Sequence, residues 1–310
     1  MKFVYGPVPS RRLGRSLGIS PIPEKTCNYT CVYCQLGRTT HFTNTRKLFF
    51  PVEDILEEVK EALKKEKQID FITIVGEGEP LLYSEIGTLI KETKKLTSTP
   101  LAVITNGALL YDEEVRKEIL DADVVLPTLD AYTEKQFRKI NRPHKDIKIA
   151  DVVQGLIEFR KIYKNQIWIE VMLVKDLNDD ITSLTELRKL IDQIHADRVY
   201  INVPIRPPAE SWVEIPPANR LTVGQEILGA YSIAHFEELI VESIDQEAPL
   251  SEQLLNIIIR HPLRTEQIYT LFHETNKKEI DSILEQMIEK QLIVPVEYHD
   301  NIFWEHKRSK

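Results

Sequence analysis

Cysteine is nearly absent: there are three in 310 residues, at positions 27, 31 and 34. Three thiols within eight positions cannot build a disulfide framework, and their spacing favours a metal. No apolar run approaches the roughly 18 residues of a membrane-spanning helix. Basic charge is in deficit, with 40 Lys+Arg against 48 Asp+Glu and a formal net charge of −8. That excludes a general nucleic-acid binder, though not a local basic patch. The opening "MKFVYGPVPSRR" has no apolar core before its prolines, so no signal peptide is expected and a cytoplasmic location follows by default. No solenoid repeat or low-complexity tract is present. What remains is globular, 42% apolar and 28% charged, and longer than one ordinary core.

From about residue 15 to 205, short β-rich runs alternate with helical patterns. The runs are "SLGISPI", "FITIVGEG", "LAVITNG", "VVLPTLD", "IWIEVMLV" and "RVYINVPI", mostly the continuous apolar type of a parallel sheet covered by helices. Val52, Ile55, Leu56, Val59, Ala62 and Leu63 share one helix face, and Ile181, Leu184, Leu187, Leu190, Ile191 and Ile194 share another. Six βα units in sequence predict an α/β fold with right-handed crossovers, and a partial (β/α)6 barrel in preference to a doubly wound sheet. Polar residues gather where the strands end: "GEGEP", "TNG", "TLDA", "VKDLND" and "PIRPPAE". In a barrel that end carries the chemistry. "GEGEP" lacks the third glycine of a dinucleotide fingerprint.

The division expected is a barrel over 1–215, a connection over 216–249 and a winged-helix module over 250–310. The connection holds a helix near 222–235, a strand-like "FEELIVES" and a linker, "QEAPLS" at 246–251. The module shows three helical patterns, Leu254–Ile259, Thr265–Phe272 and one through Ile280, Ile283, Leu284, Met287 and Ile288. A hairpin turning at Asp300-Asn301 follows. Its 8 Lys/Arg against 10 Asp/Glu, with only Lys277 and Lys278 as a basic start, favour docking on a protein or peptide slightly over RNA. Phe303 and Trp304 read as core residues.

Cys27-x3-Cys31-x2-Cys34 follows the first strand, so its thiolates can face one point above the sheet. Soft thiolates select zinc, copper(I) or an iron–sulfur cluster. Zinc needs a fourth ligand, for which His41 is the nearest candidate. A four-iron cluster would leave one iron open. Two rival classes stay in play: a metal-responsive winged-helix regulator, and a zinc-site adaptor.

The cysteine spacing, with Tyr33 directly before Cys34, resembles the signature of the radical S-adenosylmethionine (SAM) superfamily, and the likeness extends over residues 1–215. "GEGEP" at 76–80 resembles the element that holds the SAM amino group, with Gly78, Glu79 and Pro80. "TNG" at 105–107 and "TLDA" at 128–131 resemble its third- and fourth-strand motifs, and the resemblance implies Asn106, Thr128 and Asp130, with Tyr33, as contacts to the cofactor. "YGPVPSRRLGRSLGI" and "PIRPPAE" look like a branch related to the tRNA wyosine-synthesis enzymes, mostly of unassigned substrate. The resemblance implies one [4Fe–4S] cluster on Cys27, Cys31 and Cys34. It also implies SAM as cofactor, an external reductant of flavodoxin or ferredoxin type, and a 5′-deoxyadenosyl radical that takes hydrogen from a macromolecular substrate, protein, peptide or RNA. With no fourth cysteine, an auxiliary cluster on thiolates is excluded. Arg11, Arg12, Arg15 and Arg206 are candidates for a substrate phosphate or carboxylate. For the first three, pairing with local acids is an equal alternative. Asn178 is expected to cap the helix near 181.

Overall fold

The six expected strands form and lie side by side in the computed structural model, which describes residues 1–66, 68–232, 249–273, 275–299 and 301–307. In chain order the elements are β1 (Val4–Ser10), β2 (Gly14–Ile19), β3 (Thr26–Cys27), β4 (His41–Phe42), α1 (Val52–Lys65), β5 (Phe71–Ile74), α2 (Ile86–Leu96), β6 (Leu101–Thr105), α3 (Glu113–Glu118), β7 (Val124–Pro127), α4 (Glu134–Ile140), α5 (Ile149–Ile162), β8 (Gln166–Met172), α6 (Ile181–Ile194), β9 (Arg198–Asn202), α7 (Ala218–Leu228) and β10 (Tyr231–Ser232). Then come α8 (Leu250–Arg260), β11 (Leu263–Arg264), α9 (Thr265–Leu271), α10 (Lys277–Glu289), β12 (Ile293–Tyr298) and β13 (Asn301–His306).

The large sheet runs β1-β2-β5-β6-β7-β8-β9-β10, parallel throughout except for β1, which pairs antiparallel with β2. Alternation along each strand sorts its side chains onto two faces. Leu17, Ile19, Ile72, Ile74, Leu101, Val103, Val125, Ile167, Ile169, Val171, Val199 and Ile201 enter the main core beneath the helices. On the other face, Leu13, Ala102, Val124, Leu126, Trp168 and Tyr200 form a separate apolar cluster with Phe71. These are residues of the strand beginnings, so that end is plugged. Ser16, Gly18, Thr73, Ile104, Glu170, Met172 and Asn202 share that face and line a cavity.

The helices carry local reasons for their limits. α1 has Glu53 and Asp54 in its first turn and Lys64 and Lys65 in its last, matching the macrodipole. α6 starts at Asp180, whose side chain accepts from the Ser183 amide, and ends where His195 turns left-handed. Ile181 stays 66% exposed at the first helical position, so it does not share the buried face assigned to it. The helix expected at 222–235 forms earlier, at Ala218–Leu228, because Gly229 at φ +60° closes it.

"FEELIVES" lies outside the described residues, as does "QEAPLS" up to position 248. The last two residues of "QEAPLS" already open α8, behind Pro249. α8, α9 and α10 enclose Leu254, Ile258, Leu263, Ile268, Ile280, Leu284, Met287 and Ile293, with Trp304 packed against them. Phe303 is buried as well. The associated sheet has the order β11-β13-β12. Of the expected turn, Asp300 is outside the described residues and Asn301 opens β13.

Candidate active site

The cysteine loop leaves β3, which pairs with β4 so that Thr26 faces His41 and Cys27 faces Phe42. Backbone bonds pin it to the far side of the sheet: Val32 N–H donates to the Ile140 carbonyl at 2.9 Å and Thr30 N–H to that of Asn141 at 3.2 Å. Val32 is fully buried against Val174 and Val213. So held, Cys27, Cys31 and Cys34 are all partly buried and line one cavity of about 490 Å³. Burial, then the charges of Glu79 and Cys31, pushes the Cys27 thiol well up; burial and Cys34 do the same to Cys31. A metal's positive charge would oppose this effect of burial and favour the thiolates. His41 is exposed, outside the cavity lining.

"GEGEP" is fastened to that loop. Glu79 N–H donates to the Thr26 carbonyl at 3.0 Å and Lys25 N–H to that of Glu77 at 2.6 Å. A Cβ on Gly78 would lie 1.8 Å from the Thr26 carbonyl oxygen, so only glycine lets the two backbones meet. Glu79 is 2% exposed and accepts from the Leu81 amide (2.9 Å), the Thr105 hydroxyl (2.6 Å) and the Asn106 amide (2.7 Å). Burial raises its carboxyl to about 7 against the pull of those bonds. Pro80 only opens the short 3-10 turn that Glu79 caps, and does not reach the cavity. Asn106 does, and its Nδ2 donates to Asn28 Oδ1 at 2.6 Å.

Thr128 lines the cavity, whereas Asp130 stands behind its wall. Asp130 accepts from the Tyr33 hydroxyl (2.5 Å), Asn141 Nδ2 (2.7 Å) and the Met172 amide (2.7 Å), which leaves it a brace for Tyr33 and not a free contact. Burial raises it to about 6. Asn178 does not cap α6. It is fully buried, accepting from the Val174 amide at 2.8 Å and donating to the Asp130 and Met172 carbonyls at 2.8 and 2.9 Å. It ties the ends of β7 and β8 together.

The four arginines separate. Arg15 turns away, its Nε donating to the Gln68 carbonyl at 2.9 Å and its amide to Asp70 at 2.7 Å. Arg11, Arg12 and Arg206 line the cavity, and Arg12 ion-pairs with Glu170. Glu170 is a site residue that periodicity passed over, although a lone acid inside "IWIEVMLV" is itself a signal. Glu210 of "PIRPPAE" lies outside the cavity lining and fastens the cysteine loop from behind. It holds Arg38 at 2.9 Å, ion-pairs with Arg142, and its amide donates to the Val32 carbonyl at 3.0 Å.

The C-terminal elements complete the enclosure. Ile257, His261, Leu263, Gln267, Thr270 and Leu271 line the same cavity. Arg260 sits 4.8 Å from the centroid of the Tyr5 ring, 3.4 Å from Glu77, and donates to the Lys2 carbonyl at 3.0 Å. Tyr5 has room because Gly18 beneath it carries no Cβ, which would lie 2.3 Å from the ring. The Tyr298 hydroxyl donates to the Pro204 carbonyl at 2.6 Å.

Comparison with known proteins gives these likenesses. The radical SAM superfamily model matches residues 22–188. A UPF0026 protein of Methanocaldococcus jannaschii is 35% identical over 98% of this chain and 96% of its own length. A Brachyspira hyodysenteriae protein named GTPase Obg is 37% identical over 93% of this chain, which spans only 43% of that relative. No G-x-x-x-x-G-K-[ST] phosphate loop occurs here. Among solved structures, a radical SAM methyltransferase from Sphaerobacter thermophilus superposes with a TM-score of 0.53 at 15% identity, covering 74% of this chain and 68% of that one. Streptococcus suis SuiB bound to precursor peptide SuiA gives 0.52 at 16%, covering 67% and 45%. At these identities the structures speak for the fold alone.

Proposed function

Because the chain belongs to the radical SAM superfamily, among the UPF0026 proteins, we propose that Cys27, Cys31 and Cys34 hold a single [4Fe–4S] cluster whose fourth iron takes SAM. Bound together, these groups supply reductive cleavage of SAM to methionine and a 5′-deoxyadenosyl radical that abstracts hydrogen. The observation that carries the reading is the meeting of three thiols, Glu79 and Asn106 in one cavity, at strand ends. Among the described residues no His, Cys, Asp or Glu group converges closely enough for one metal ion. Three thiols lining one cavity suit a cluster held by cysteine thiolates.

The chain's own residues orient and enclose. Glu79, fixed by three donors, keeps a lone pair on Oε2 for the SAM ammonium. Asn106 lies between Glu79 and Asn28, within reach of the methionyl end. Thr128 and the Tyr33 ring flank the cofactor, with Asp130 locking the ring. The C-terminal elements exclude water from the side opposite the sheet.

We read the sheet as a partial (β/α)6 barrel over 1–215 and residues 250–310 as a winged helix, joined through 216–249. In this reading the substrate is macromolecular, a protein or peptide ahead of RNA, and its reacting group enters the cavity beside α8. SuiB, which shares the fold, binds a precursor peptide. Electrons come from an external one-electron donor of flavodoxin or ferredoxin type.

The test is anaerobic reconstitution. Wild-type protein should take up about four irons, and SAM should change the electron paramagnetic resonance spectrum of the reduced cluster. One bound zinc, stable in air and lost on His41→Ala, would refute the reading.

A further inference from the structure

The cavity that holds the cysteines also has a cationic wall. Arg206 follows β9 and lines the cavity, its Nη1 donating to Gln35 Oε1 at 2.7 Å. Among the described residues it has no carboxylate partner. The neighbouring cations differ: Arg12 is answered by Glu170 and Arg260 by Glu77. Burial lowers the Arg206 guanidinium to about 10, with Arg11 and Arg264 adding like-charge repulsion. It therefore stays charged at neutral pH. Arg11 of the β1–β2 turn and Arg206 of the loop after β9 line the same cavity. His261 adds no charge, because burial beside Arg206 and Arg260 holds it far below its ordinary range.

Such an arrangement is costly when empty. A partly buried cation without a counterion loses hydration, and like charges add to the cost. An anion entering the cavity reverses both. The guanidinium is also positioned in advance. Gln35, the residue after Cys34, holds Arg206 with its oxygen, while its Nε2 lies 3.3 Å from both the Arg260 carbonyl and His261 Nδ1. A planar fork held in this way suits a carboxylate or phosphate, which it binds through two parallel bonds.

We propose that Arg206, with Arg11 beside it, is the substrate's oxyanion subsite: the molecule whose hydrogen is taken carries a carboxylate or phosphate that docks on this guanidinium. This rests on the radical SAM reading, since it places that group in the cavity of the cysteines.

The experiment is calorimetric titration of anaerobically reconstituted protein, saturated with SAM, in low-chloride buffer. Pyrophosphate is the probe in one arm and tricarballylate in the other. Binding in at least one arm is expected, and the arm that binds identifies the group as phosphate or carboxylate. Arg206→Gln should weaken it by about tenfold or more, equivalent to about 1.4 kcal/mol. Arg206→Lys should fall between the two, because the charge remains and the fork is lost. Arg11→Gln should weaken binding by several fold, and serves as the working variant if Arg206→Gln does not fold. Arg15→Gln, outside the cavity, should titrate like wild type.

Silence in both arms, or equal binding by wild type and Arg206→Gln, overturns the subsite. Failure of SAM to bind the reconstituted protein at all defeats the radical SAM reading first, and is seen separately, before either probe is added.

Discussion

Glu79 combines a structural and a proposed chemical duty in one buried carboxylate. Its three donors fix it between the 3-10 turn and β6, and the remaining lone pair is the one proposed for the SAM ammonium. Glu79→Gln should therefore keep the iron content while SAM affinity falls about tenfold or more, since hydrogen bonds between charged groups are worth roughly twice neutral ones. Equilibrium dialysis against labelled SAM reads it. Asn178 has no proposed chemistry, yet it satisfies one amide and two carbonyls at the ends of β7 and β8. Asn178→Ala leaves them buried and unpaired, and should cost about 2–3 kcal/mol in a urea melt. At this scale the sequence reveals position better than task. Glu79 was visible in "GEGEP", whereas Glu170 was passed over inside an apolar strand. The bracing role of Asp130 was not visible, because its partner Tyr33 lies 97 residues away and nothing local marks the pair.

Of the elements, the six parallel strands were legible because continuous apolar runs between amphipathic helices admit few other arrangements. β1 was not. Its Gly6, Pro7 and Pro9 resemble a loop, and proline is tolerated there because β1 is an edge strand. The three C-terminal helices were equally legible, but their docking was not. Arg260 reaches the Lys2 carbonyl across 258 residues, and a charge does not announce its partner. Arg260→Ala removes the ring contact, the ion pair and that bond. It should speed amide exchange across α8 by tenfold or more while leaving β5–β9 protected, read by hydrogen exchange with mass spectrometry.

His261 makes the same docking acid-sensitive. Buried against Arg206, Arg260 and the Tyr5 ring, it is held near 3 where an exposed histidine titrates near 6.5. Between those values the undocked or unfolded state takes up the proton and the docked state does not. The stability is therefore full above 6.5 and is lost as pH falls toward 3. Lowering the pH from 7 to 5 should cost at most about 2 kcal/mol through this residue. That component should vanish in His261→Gln when melts at the two pH values are compared.

For the whole molecule, the sheet directs its chemistry to one end because the other is filled. Phe71, Trp168 and Tyr200 plug the strand beginnings, and the glycines and acids of "GEGEP" could meet the cysteines only at the strand ends. The cavity is completed by residues more than two hundred positions apart, which is why its motifs were readable singly and its enclosure was not. In the proposed reading, three thiolates leave the fourth corner of the cluster to SAM. That reading is tested most directly by 5′-deoxyadenosine release from the anaerobic, reconstituted, dithionite-reduced protein, followed by liquid chromatography. Wild type should release 5′-deoxyadenosine from SAM, and Cys27→Ala, Cys31→Ala and Cys34→Ala should each release none. Wild-type protein that carries about four irons, binds SAM and is reduced, yet releases no 5′-deoxyadenosine, would contradict it.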